Sequence, residues 1–268
     1  MLKFSYSQLN TYSNCPQKYK LIYIDKIYKS HDSIEAFMGK VVHEVIEWLY
    51  NNKIEYCIWD NIEKKYNDVW ANKWHEDIFI AQIKKQYNTA FFKKTGLECL
   101  RNYYKNNGGP NIDYSNVKGI ELEIEFKIDS FQFKAIIDRL DYKDGILEIH
   151  DYKTGKPKTP KMLKKDLQLF IYMEAVKSKY RKNKKINLNW HYLKEREISK
   201  QHIKINKNDS EINDHKEDLL NQITKIMHSR KQNNFPAKSS FLCHWCYFWE
   251  ECEAKKQYNE KNPSIRAK

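Results

Sequence analysis

Two short stretches of this chain carry reactive side chains at spacings that packing alone does not demand. In the segments Ala-Ile-Ile-Asp138-Arg-Leu-Asp and Leu-Glu-Ile-His-Asp151-Tyr152-Lys153-Thr-Gly, acidic residues stand where strand logic expects apolar ones. Side chains two apart on a strand share a face, so Asp151 and Lys153 project together with Leu147 and Ile149. Asp138, between Ile136 and Leu140 on the preceding strand, can lie across from them at cross-strand distance. Neighbouring carboxylates repel unless a cation neutralises them, and a hard divalent ion with oxygen ligands does so directly, which implies magnesium or manganese. Such an ion polarises a phosphodiester and acidifies its bound water, while Lys153 orients that water or offsets developing negative charge. An isolated D-x-K is common by chance; the hairpin joining it to Asp138 makes this one informative.

The second stretch, Phe-Leu-Cys243-His-Trp-Cys246-Tyr-Phe-Trp-Glu-Glu-Cys252, has the spacing C-x2-C-x5-C. A four-thiolate site needs one more ligand, for which Cys15, Cys57, Cys99 and His244 are the candidates. Cys15, in a Cys-Pro step beside the first helix, is favoured. Zinc and an iron-sulfur cluster both accept four thiolates, and a single C-x2-C unit fits the usual paired zinc knuckle poorly. The aromatics Trp245, Tyr247, Phe248 and Trp249 are expected to pack around whatever the thiols hold.

Elements that position these groups are readable from periodicity. Ser5 and Gln8 form a capping box for an N-terminal helix that Pro16 breaks or restarts. Phe37, Val41, Val45, Ile46 and Leu49 repeat at helical spacing and carry His43 on a helix over Ala36–Asn51. Helices continue to about Asn106 and stop at Gly108, Gly109 and Pro110. From Ile120, Ile-Glu-Leu-Glu-Ile-Glu-Phe-Lys-Ile alternates without a fault as a half-buried strand. Turns at Asp129-Ser130 and Asp144-Gly145 then make an antiparallel meander, with strands over Phe131–Tyr142 and Ile146–Lys153. A helix over Leu163–Tyr180, strands over Ile186–Leu193 and Ile198–Ile205, and a polar helix over Asn208–Lys231 complete an α/β core.

The 268 residues are 41% hydrophobic and 31% charged, a globular and not a disordered profile. No stretch approaches the roughly 18 apolar residues of a membrane span, and no secretory signal opens the chain, so a cytoplasmic protein is expected. The net charge of +13 suits a phosphate-bearing partner. An AT-rich genome would enrich Lys, Asn, Ile and Tyr as well, so charge alone does not establish DNA binding. Six cysteines without a signal sequence point to metal binding or core packing rather than disulfides.

The segment Ile-Ile-Asp138 through Asp151-Tyr152-Lys153-Thr-Gly-Lys resembles the core motif of the RecB-like branch of the PD-(D/E)XK nucleases. The resemblance implies a restriction-endonuclease-like fold, a central mixed sheet flanked by helices. It makes Asp138 and Asp151 metal ligands, lends the Tyr152 carbonyl to the same ion and makes Lys153 catalytic. Met-Gly-Lys-Val-Val-His43 resembles the family's G-x-x-x-H helix, adding His43 as a ligand. Gln168-Leu-Phe-Ile-Tyr172 resembles its Q-x-x-x-Y helix, with Gln168 and Tyr172 on one face as site residues. Cys15 with Cys243, Cys246 and Cys252 is similar to the arrangement that holds a [4Fe-4S] cluster in AddB-type and CRISPR-associated exonucleases. On this basis residues 1–268 are expected as a single nuclease domain: a helical part over 1–110, a core over 111–231, and a cluster-binding tail over 232–268 joined to Cys15. The implied activity is a DNA exonuclease for single strands or ends, working with repair or CRISPR adaptation proteins; a catalytically silent DNA-binding scaffold is the alternative.

Overall fold

The computed structural model describes residues 2–54, 56–81, 87–180, 185–205, 209–261 and 264–267. The chain opens with β1 (Lys3–Phe4) and α1 (Tyr6–Asn14), whose first turn is capped by Ser5, its hydroxyl accepting the Gln8 N–H at 3.3 Å. Pro16 occupies the first turn of α2 (Pro16–Tyr19), where its missing N–H costs nothing, and a π-helical turn over Lys20–Ile24 follows. Next come β2 (Asp32–Ser33), α3 (Ile34–Asn52), α4 (Trp59–Lys73), β3 (Ile78–Ala81) and α5 (Thr89–Asn106). The core then runs through β4 (Val117–Ile128), β5 (Phe131–Lys143), β6 (Ile146–Lys153), α6 (Pro160–Lys164), α7 (Leu167–Lys179), β7 (Lys185–Tyr192), α8 (Ile198–Gln201), β8 (His202–Ile205) and α9 (Asp209–Gln232). A 3-10 turn over Phe241–Trp245, α10 (Glu253–Lys261) and β9 (Ser264–Arg266) end it.

The central sheet is mixed, in the order β1-β5-β6-β7-β8, with β4 also paired to β5. Strands β4, β5 and β6 are the expected meander. Asp144 and Gly145 both take positive φ, 51° and 80°, the twist a tight hairpin needs and that Gly145 adopts without strain. β7 lies parallel to β6, as the intervening helices require. Both faces of these inner strands are covered. On one face Leu147, Ile149 and Trp190 pack with Phe170 of α7 and Leu219 and Ile223 of α9. On the other, Tyr152 and Leu193 join a core built from α3, α4 and α5.

Several elements differ from the sequence reading. Residues 1–110 are not purely helical: β1 pairs in parallel with β5, and β2 and β3 form a small sheet with β9. Strands of two to four residues carry too little alternation to be seen. The helix expected over Leu163–Tyr180 is broken at Asp166, which caps α7 by accepting the Gln168 N–H at 2.9 Å. A helical turn, α8, occupies the first half of the strand expected over Ile198–Ile205. The helix expected from Asn208 is α9; Asn208 itself lies outside the described residues.

Candidate active site and cysteine cavity

Pairing between β5 and β6 ends at Arg139 and His150. One residue further, the Asp138 carboxylate takes over the role of the strand: its Oδ2 accepts the Tyr152 N–H at 2.8 Å. The same carboxylate lies 3.6 Å from His43 Nδ1, and His43 Nε2 stands 2.9 Å from the Tyr152 carbonyl. With that carbonyl accepting, Nε2 carries a proton and Nδ1 faces Asp138. Gly39, one turn before His43, permits this approach, because a Cβ there would lie 3.3 Å from Thr154 Oγ1.

Asp151 is 2% exposed and held on both oxygens. Oδ1 accepts from Gln168 Nε2 at 3.2 Å and from the Tyr172 hydroxyl at 3.3 Å; Oδ2 pairs with Lys153 Nζ at 2.6 Å. Gln168 and Tyr172, four apart on α7, also bond each other at 2.8 Å. Lys153 Nζ sits 4.7 Å above the Trp190 ring, a second attraction that fixes the ammonium. Every residue singled out in the motifs, His43, Asp138, Asp151, Tyr152, Lys153, Gln168 and Tyr172, therefore falls at one end of the β5–β6 hairpin.

Glu121 joins them unexpectedly. Its neighbours Ile120 and Leu122 pair with Arg139 and Ile137, which places it beside Asp138. A left-handed φ of 45° sets it apart from the exposed Glu123 and Glu125 that continue the alternation. Ligand atoms of His43, Glu121 and Asp138 all lie within 4.8 Å of one another. The electrostatics agree with a cation site. Burial, then the Asp138 charge, pushes Glu121 up to about 7. Burial likewise pushes Asp151 up to about 6, against the pull of Lys153 and with the push of Asp138. Burial would lower Lys153, but the adjacent Asp151 outweighs it and holds the ammonium above its ordinary range. Oxygen donors with one imidazole, short of positive charge, suit a hard divalent cation.

Behind the site, the opposite face of β5 and β6 holds a buried polar network. Arg139 pairs with Asp141 at 3.1 Å, donates to the hydroxyls of Tyr50 and of Tyr103 (2.9 Å), and contacts His150 Nδ1 at 2.9 Å. His150 in turn meets His191 at 2.9 Å, and Tyr103 meets the Tyr152 hydroxyl at 3.2 Å. Burial, with the Arg139 charge next for His150 and His150 itself next for His191, holds both imidazoles well below their usual range. The network clamps the ring of Tyr152, whose backbone carbonyl and N–H face His43 and Asp138.

The cysteines gather elsewhere. Cys15, Cys243, Cys246 and Cys252 line one cavity of about 220 Å³, together with Lys18, Trp245, Phe248 and Lys255. Cys57 and Cys99 are fully buried in the helical core, and His244 is not part of the cavity wall. Burial raises the thiols of Cys246 and Cys252; Lys18 opposes this at Cys246. Lys255 is 1% exposed, and burial lowers its ammonium while Cys246, Cys243 and Cys252 act to raise it. Of the aromatics expected here, Trp245 and Phe248 line the cavity, Tyr247 packs on Phe248, and Trp249 packs on His31 and Phe79.

Among known proteins, residues 3–253 match the model of the PD-(D/E)XK nuclease superfamily. The Gene 69 protein of Mycobacterium phage D29 is 25% identical over 202 residues, which cover 66% of this chain and 69% of the phage protein. A crystal structure from Eubacterium rectale, described as a candidate exonuclease, superposes with a TM-score of 0.52 at 11% identity, over 95% of this chain and 87% of that one; it shows the shared fold. No described helix is long and apolar enough to cross a membrane. With the family match spanning nearly its whole length and the fold in agreement, the chain belongs to the PD-(D/E)XK nuclease superfamily.

Proposed function

We propose that this protein is a DNA exonuclease that hydrolyses phosphodiester bonds in single strands or at DNA ends. The observation that carries the reading is the convergence of His43, Glu121 and Asp138 beside the ion-paired Asp151 and Lys153. His43, Glu121, Asp138, Asp151 and the Tyr152 carbonyl would hold Mg2+ or Mn2+. When bound, the cation supplies Lewis acidity to the phosphodiester and acidifies water. Lys153, fixed between Asp151 and Trp190, keeps a positive charge where negative charge develops on the phosphate. Gln168 and Tyr172 orient Asp151, and Tyr172 brings a hydroxyl to the same edge. The nuclease resemblance alone supports a role in DNA repair or recombination or in CRISPR spacer acquisition, with the proteins of those processes as partners; a cytoplasmic location is proposed beside it.

For the second site we infer a [4Fe-4S] cluster held by Cys15, Cys243, Cys246 and Cys252. Their shared cavity supports it. The cluster would staple the tail to α1 and α2; brown, iron- and sulfide-bearing protein supports it, and colourless zinc protein contradicts it.

Linear and covalently closed single-stranded DNA, each incubated with Mg2+ or Mn2+, test the exonuclease reading. Degradation of the linear strand with the circle left intact is the expected result. Equal cutting of the circle would make the protein an endonuclease, and no cutting of either would remove the catalytic claim.

A further inference from the structure

The first helix borders two grooves that meet at one side chain. On one side Tyr6 and Ser5 line a groove of about 340 Å³ with Lys134, Ile136, Gln168 and Tyr172. On the other, Tyr6 and Leu9 line a groove of about 220 Å³ with Lys158, Met162, Lys165 and Asp166. Gln168 and Tyr172 are the side chains that hold Asp151, so the first groove is walled by the two partners of the catalytic carboxylate. Tyr6 itself feels that charge: burial raises its hydroxyl, and Asp166 and Asp151 add to the effect.

The lining combines apolar side chains with lysines. Ile136 is 44% exposed and Met162 55% exposed, one in each groove, and lysines stand beside both. Apolar and aromatic faces give unpaired bases something to stack on, while lysines follow the phosphates. Duplex bases are already stacked inside their helix and could reach Tyr6 only after being extruded.

We propose that the two grooves form a continuous track for one unpaired DNA strand, with Tyr6 stacking on a base where the strand passes from α6 and α1 toward Asp151. The proposal rests on the nuclease reading for its substrate, but its geometry is independent of turnover. Lys134 lines the groove on the catalytic side, where it also pairs with Glu123 at 2.6 Å, and Lys158 and Lys165 line the other, where Lys158 also pairs with Asp166 at 2.5 Å, so lysine side chains flank Tyr6 on both sides.

Strand binding is measured by fluorescence anisotropy with a short labelled single strand and the matching duplex, in Mn2+, using Lys153→Met protein throughout so that the probe is not consumed. Tyr6→Ala should weaken single-strand binding about tenfold or more, and Tyr6→Phe should restore it, because the stack and not the hydroxyl does the binding. Lys165→Glu, exposed on the opposite wall, should weaken it as well, and Lys165→Ala should flatten the salt dependence by about 0.7 in slope. Should Tyr6→Ala melt the protein, Lys165→Glu and Met162→Asp carry the test. Unchanged single-strand affinity in the folded variants overturns the track, as does an equal loss for duplex. Wild-type protein assayed separately for degradation keeps the readings apart: strand binding that depends on Tyr6 in a protein without nuclease activity defeats the function and leaves the track.

Discussion

The Asp138 carboxylate accepts the backbone N–H of Tyr152 at 2.8 Å, one residue past the point where β5 and β6 stop pairing. A side chain thus completes the ladder of its own hairpin. The bond holds Asp138 between His43 and the Tyr152 peptide while its charge remains available to a cation. Asp138→Asn preserves an acceptor for that N–H but loses the charge. It should leave the thermal midpoint close to wild type while lowering Mn2+ affinity, read by calorimetry, by more than the roughly 10- to 100-fold typical of an outer-shell change. Unaltered Mn2+ binding would remove Asp138 from the ligand set.

Glu121→Gln is expected to reduce Mn2+ affinity by at least about tenfold, since it strips one carboxylate from the His43, Glu121 and Asp138 group. Glu123→Gln, two residues along the same strand and exposed, serves as the control and should bind as wild type. Equal affinity in both variants would make Glu121 a bystander.

Metal binding should strengthen with pH through the range set by Glu121 and Asp151. Their carboxyls are pushed up to about 7 and about 6 from ordinary values of 4.5 and 3.8. The metal-free fold therefore binds more protons than the unfolded chain between those limits and loses stability as pH rises through them. A cation that needs the ionised carboxylates displaces these protons, so the Mn2+-induced rise in melting temperature should be larger at about pH 8 than at about pH 5.5. A rise of the same size at both pH values would contradict the assignment.

Asp141→Ala leaves the Arg139 guanidinium, 5% exposed, without its carboxylate partner. Removing one member of a buried pair costs about 3–5 kcal/mol, to be read from urea unfolding. A loss below about 1 kcal/mol would mean that Tyr50, Tyr103 and His150 suffice to hold the cation.

Much of this site is legible in the sequence. The Asp144-Gly145 turn and the acids within apolar strands located the β5–β6 hairpin, and helical spacing put His43, Gln168 and Tyr172 on faces that do turn inward. Glu121 was hidden by the very regularity of its strand, because a left-handed kink leaves no mark on an Ile-Glu-Leu-Glu pattern. The break before α7 was equally silent, since Asp166 reads as a polar residue within a helical period until its capping bond is seen. Strands β3 and β9 draw their pairing from distant chain, which local periodicity does not register. The cysteines required only their spacing to be noticed, and Cys15 shares the cavity with the terminal three.

Lys153 offers the most direct test of catalysis, because it neutralises Asp151 at 2.6 Å and stands over Trp190 without being needed to close either core. End-labelled single-stranded DNA is incubated with anaerobically purified wild type and Lys153→Met, with Mg2+ or Mn2+. Metal-dependent degradation by wild type, reduced about 100-fold or more in the folded variant, is the predicted result. Degradation at the same rate by both proteins, or by neither, would contradict a nuclease centred on Asp138, Asp151 and Lys153.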